Sequence, residues 1–204
     1  MTLPRVVVAA LLLLLLAACG SSSPSPTPSA SLPGESPGSS APSDGAGGSA
    51  GPSGAAELAA LIPDEVGGVT LQKLSMRGTE FANSGSATEE AQDFLRRLGV
   101  DTEDVSVAVG FGASPDGAAT VAVVIFKAEG ADSGRLLETF KAAMDAEQEQ
   151  PLEWESVTVG GKQVERAIAP SNNGQVNIYV AGDTLYFVAT SREEDAAEIL
   201  GGLP

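Results

Sequence analysis

Carboxylates are the chemistry-bearing side chains in best supply, grouped as Asp101/Glu103/Asp104, Glu147/Glu149, Glu153/Glu155 and Glu193/Glu194/Asp195. Two positioned carboxylates suffice for glycoside hydrolysis, and hard cations take clustered acids. These groups fall at expected helix starts, helix ends and loops, where acids favour the helix dipole or are simply solvated, and no Asp-x-Asp-x-Asp-Gly loop is present. A solvated acidic surface is therefore expected, with no catalytic residue, metal ligand or cofactor assigned. The chain contains no histidine and one cysteine, which removes Ser-His-Asp and Cys-His nucleophiles, imidazole bases and the ligands zinc prefers. Gly161-Lys162 has Ser156 where a P-loop needs its first glycine and Gln163 where it needs Ser or Thr. Gly110-Phe111-Gly112 meets Pro115 at the third glycine of a dinucleotide fingerprint, so these are read as turn glycines. What remains is a set of aromatic residues with polar handles, Tyr179, Tyr186 and Trp154, as a candidate binding surface for a protein or a small amphiphile.

The single cysteine, Cys19, directly follows Leu16-Ala17-Ala18 at the end of an apolar run that begins behind Arg5. The run is too short to span a bilayer, which takes ~20 apolar residues, and has the layout of a cleavable secretory signal. With the cysteine at the cleavage position, the segment resembles the lipobox of bacterial lipoproteins. That resemblance implies lipidation of Cys19, removal of residues 1–18, and anchorage at the extracytoplasmic face of the cell membrane. An ordinary secretory signal with an incidental cysteine is the alternative. Residues 19–55 supply the lipidated Cys and a run of Ser, Pro, Gly, Ala and Thr with too little apolar surface to order itself, which is expected to be a disordered tether. Its r.m.s. reach is roughly 30 to 36 Å. A lipobox, a Ser/Pro/Gly tether and a small acidic domain together resemble lipoproteins of high-GC Gram-positive bacteria.

Residues 56–204 form the one expected domain. It holds all but two of the 27 acidic and all but one of the 11 basic side chains, in a chain of net charge −16, a surface that repels nucleic acid. The positioning elements follow from pattern. Residues 56–62 read as a short helix stopped by Pro63, and residues 66–76 as one extended segment. Ser86-Ala87-Thr88-Glu89 is a capping box, followed by Ala91, Phe94, Leu95 and Leu98 at helical spacing up to Gly99. Residues 105–112 and 118–127 make a hairpin through Pro115-Asp116-Gly117, the second strand apolar on both faces and so central. Asp132 or Ser133 caps a helix burying Leu136, Leu137, Phe140 and Met144. Two-residue turns at Gly160-Gly161 and Gly182-Asp183 close two further hairpins. The first sets Glu155 opposite Arg166 and Trp154 opposite Ala167. The second pairs Val180 with Leu185, Ile178 with Phe187 and Val176 with Ala189 on a core face, and Tyr179 with Tyr186 on the other, where the pair either lines a ligand groove or partner surface or simply covers the sheet face or tucks beneath a loop. Ser191-Arg192-Glu193-Glu194 opens a closing helix with Ala196, Ile199 and Leu200 inward.

The expected fold is α+β: an antiparallel sheet built from successive hairpins, helices largely on one face, and a weak internal duplication of hairpin followed by helix. The expected function is a non-enzymatic, membrane-anchored binding domain. The alternative is a carrier of a lipid or other amphiphile in an apolar cavity, as in mycobacterial lipoproteins whose sheet and helices enclose one.

Overall fold

The computed structural model describes residues 54–83, 88–146, 148, 150–168 and 174–204. Cys19, the signal, almost all of the tether and Ser86 of the first capping box lie outside them. Helix α1 (Gly54–Leu61) leads into two short paired strands, β1 (Glu65–Val66) and β2 (Val69–Thr70), and then β3 (Gln72–Arg77). The single extended segment expected over residues 66–76 is thus broken at Gly67-Gly68, both at positive φ, which reverses the chain in two residues. Helices α2 (Gly78–Asn83) and α3 (Thr88–Leu98) follow, then a 3₁₀ turn at Thr102–Asp104. Next come the hairpin β4 (Val105–Ala113) and β5 (Thr120–Ala128), and helix α4 (Ser133–Ala146). The chain continues through β6 (Glu155–Val159), β7 (Lys162–Ile168), β8 (Gln175–Ala181), β9 (Thr184–Thr190) and α5 (Glu193–Gly202).

Seven strands form one antiparallel sheet in the order β3-β4-β5-β9-β8-β7-β6. The fold is α+β, and the expected hairpin registers hold: Glu155 faces Arg166, Ile178 faces Phe187 and Tyr179 faces Tyr186. Strand β5 is buried on both sides, as its unbroken apolar run requires.

The helices do not gather on one face. Leu58 and Ile62 of the α1 region and Ala196, Ile199 and Leu200 of α5 cover Val121, Val123, Ile125, Tyr186 and Val188. On the other face, Ala82 of α2, Phe94, Leu95 and Leu98 of α3, and Leu136 and Met144 of α4 cover Val107, Val124, Phe126, Ile178 and Phe187. Ring contacts knit this second core together, Phe94 and Phe126 edge-to-face at 5.5 Å and Phe140 and Phe187 tilted at 5.7 Å. The cause is the route of the chain. Helix α4 carries it from β5 to the far edge strand β6 and packs over β8 and β9 on the way, so α5, leaving β9, finds its apolar partners on the opposite side. Hairpin followed by helix does recur, as β4-β5-α4 and β8-β9-α5, but with α4 and α5 on opposite faces the repeat is one of element order and not of packing. The rotation that exchanges the adjacent antiparallel strands β5 and β9 runs perpendicular to the sheet and would keep both helices on one face.

Gly110 and Gly112 are strand residues rather than turn glycines. A Cβ at Gly110 would lie 2.6 Å from Ile62 Cγ2, and one at Gly112 would meet Val69 at 2.8 Å, so the missing side chains let α1 and β2 close onto the sheet. Among the described residues no helix is long and apolar enough to cross a membrane.

Candidate binding site

The structure separates the three aromatic residues that the sequence grouped. Tyr179 and Tyr186 lie on the α1/α5 face and Trp154 on the α4 face, so they do not form one surface. Alternation along β8 and β9 sends the tyrosines away from Ile178 and Phe187, yet that side is a second core rather than an open face. The rings stack at 5.5 Å, Lys162 Nζ stands 5.2 Å from the centre of the Tyr179 ring, and the Tyr179 hydroxyl donates to the Pro204 carbonyl at 3.3 Å. Burial pushes the Tyr186 phenol above its ordinary value, with Tyr179 and Asp183 adding to the effect.

Trp154 precedes β6 instead of belonging to it, so its expected ladder pairing with Ala167 is not made. Asp145 in the last turn of α4 fixes it: one carboxylate oxygen accepts from the Leu152 amide at 3.0 Å and from Trp154 Nε1 at 3.2 Å. One turn back, Lys141 Nζ sits 5.2 Å from the centre of the indole ring and donates to Glu165 at 2.7 Å. Glu165 also accepts from the Ser156 hydroxyl. Its carboxyl is held below the usual carboxylate range, first by the Lys141 hydrogen bond and then by Ser156.

None of the acidic groups singled out by sequence contains Glu165. Its signal was the alternation of β7, which sets Glu165 on the same side as buried Ala167. Of the sequence-picked acids, Glu155 and Glu193 both pair with Arg166, at 3.0 and 3.1 Å. Asp195, 1 % exposed, pairs with Arg192 at 2.8 Å, and Arg192 also donates to the Gly67 carbonyl, which ties α5 to the β1–β2 turn. The side chains of Glu147 and Glu149 lie outside the described residues. Among the described residues no group of three or more acids, histidines or cysteines is placed to hold a metal.

Two features were missed by sequence reasoning. Asn177, between Val176 and Ile178, is fully buried with neither side-chain polar atom hydrogen-bonded. Beside the Lys141/Glu165 network, an open depression of about 280 Å³ lies between the first turn of α4 and strands β6 to β8. Its lining combines Ser133, Ser156, Gln163 and Glu165 with Gly134 and the apolar Leu137, Val164, Ile178 and Val180. It joins hydrogen-bonding groups to a modest apolar base, the chemistry of a recognition site. No protein-family model, curated protein or solved structure matches this chain.

Proposed function

We propose that the chain is a lipid-anchored extracytoplasmic lipoprotein whose α+β domain binds a partner without transforming it. Cys19 carries this reading: the chain's single thiol stands directly after Leu16-Ala17-Ala18 at the end of an apolar run. Two acyl chains on that residue would hold the protein stably, since each buried CH₂ contributes about 0.8 kcal/mol and one chain alone gives only reversible binding. The Ser/Pro/Gly segment then sets the domain clear of the lipid surface.

Binding rather than catalysis is supported by the state of the acids. Glu165, the carboxylate of the α4 depression, has one oxygen bonded by Lys141 and the other by Ser156, the arrangement of a structural ion pair rather than of a free acid or base. The depression is open and lined by polar as well as apolar groups, which favours a hydrogen-bonding partner over the acyl chain of a carried amphiphile.

The anchor is tested by membrane fractionation and intact-mass spectrometry in a bacterial host. Processed wild type is expected to carry the diacylglyceryl mass on Cys19, and Cys19→Ala is expected to be soluble or unprocessed. A processed Cys19→Ala protein that still needs detergent for extraction overturns the anchor. Extraction of the purified protein with organic solvent tests the alternative, since a stoichiometric lipid other than the anchor would make it a carrier.

A further inference from the structure

Strands β7 and β8 part company before either ends. Their ladder runs from Ile168↔Gln175 to Glu165↔Ile178 and stops there, although β7 starts at Lys162 and β8 continues to Ala181. Both hairpins close on two-residue turns, so Val159/Lys162 and Ala181/Thr184 are hydrogen-bonded pairs. Alternation from those pairs turns the main-chain groups of Gln163 toward β8 and those of Val180 toward β7. Two residues beyond Glu165↔Ile178, Gln163 and Val180 would make the next hydrogen-bonded pair in this register, and the ladder does not reach it. The β6–β7 tip leans the other way, onto α5: Gly160, at φ +58°, is so close that a Cβ there would lie 2.6 Å from both the Ala197 carbonyl and the Gly201 nitrogen. The strands are thus held apart by packing at the tip, and the depression beside α4 opens where they separate, with Gln163 and Val180 both in its lining.

We propose that this open edge of β8 docks an extended peptide segment of another polypeptide, uncharged or cationic, which bridges to Val180 and rests a side chain on Leu137. The assignment rests on reading the domain as a binding module, and names its partner class. Sheet edges with unpaired donors and acceptors recognise extended main chain, which presents both. A volume just under that of drug-sized pockets suits the two or three residues that a single bridge requires. Charge selects against acidic segments: the chain carries net −16, Glu165 lines the depression, and Asp132, which accepts from the Arg135 amide at 2.9 Å, is the chain neighbour of its lining residue Ser133.

The test uses the ¹⁵N-labelled full-length chain with acetyl-Lys-Thr-Val-Thr-Lys-amide as probe, followed by amide shifts and by the fluorescence of Trp154, the chain's single tryptophan. The probe is expected to move the Val180 and Gln163 amides. N-methylation in one of the two alternate patterns is expected to weaken it about tenfold or more, through loss of main-chain hydrogen bonds. Val180→Pro removes a donor that has no ladder partner, and is expected to weaken the probe similarly while the variant still folds. If that variant does not fold, the N-methylated peptides decide. Equal binding of all N-methylated forms overturns the proposal. So does exchange protection of the Val180 and Gln163 amides in the free chain, which would show the edge already occupied by the chain itself or by a second copy. An unmoved spectrum overturns the peptide assignment but leaves the anchor test untouched.

Discussion

Tyr179 and Tyr186 stack across the β8–β9 hairpin, their planes 25° from parallel, and Tyr186 at 3 % exposure is more deeply buried than Phe187 on the opposite face at 8 %. Alternation alone puts Phe187 in the core and the tyrosines on the other face, without saying whether that face is covered. The sheet has two cores, and the tyrosines belong to the one closed by α1 and α5. Tyr186→Ala is therefore expected to destabilise by about 3 to 5 kcal/mol, as much as Phe187→Ala. Urea denaturation of the two variants checks this, and a Tyr186→Ala cost under about 1 kcal/mol would return that face to the surface.

Alkaline titration reads the same burial. The Tyr186 phenol is held above its ordinary value of 10.0 by desolvation first. A raised folded value means that the native state keeps a proton which the unfolded chain gives up. The contribution is full below pH 10 and is lost as pH rises through the folded value. Phenolate absorbance near 295 nm should show one of the two tyrosines ionising only together with loss of structure, and Tyr186→Phe should move the alkaline unfolding midpoint upward.

Asn177 is a polar side chain in an apolar place, 0 % exposed with its amide nitrogen and oxygen both unpaired. A buried unsatisfied group costs about 1 to 3 kcal/mol, and replacement by an apolar residue of similar size removes that cost. Asn177→Val is expected to raise the denaturation midpoint without changing the slope. A destabilised Asn177→Val protein would mean that the amide has partners, such as an internal water.

The Lys141–Glu165 pair gives an acid-side dependence. The Glu165 carboxyl is held below 4.5 by Lys141 and Ser156, so its contribution is present above about pH 4.5 and is lost as pH falls through the folded value. With both side chains about one-fifth exposed, the contribution is about 1 kcal/mol. Stability measured from pH 7 to 3 should fall less steeply in Glu165→Gln than in wild type. Equal slopes would show that the pair is solvated.

Gly110→Val should be costly although its backbone is ordinary strand. The added side chain meets Ile62, and overpacking of this kind costs about 1 to 3 kcal/mol. Ile62→Ala should relieve part of that cost in the double variant, a coupling that a thermodynamic cycle measures.

Local chemistry was legible in the sequence wherever neighbours along the chain decide it. Two-residue glycine turns set the hairpin registers, so Glu155 opposite Arg166 and Tyr179 opposite Tyr186 could be read before any fold was known. Helical spacing placed Phe94, Leu95 and Leu98 inward, and the lipobox resemblance of Cys19 rests on adjacent residues alone. Alternation along a strand divides residues between two faces but does not say whether one face or both will be covered. That depends on where α4 and α5 lie, which is settled by the crossing from β5 to the far edge and by the packing area left over. The same crossing parts Trp154 from the tyrosines and brings Lys141 to Glu165 across 24 residues of chain. These are contacts between distant segments, fixed by competition for buried area among all the helices at once, and no short stretch of sequence encodes the outcome of that competition.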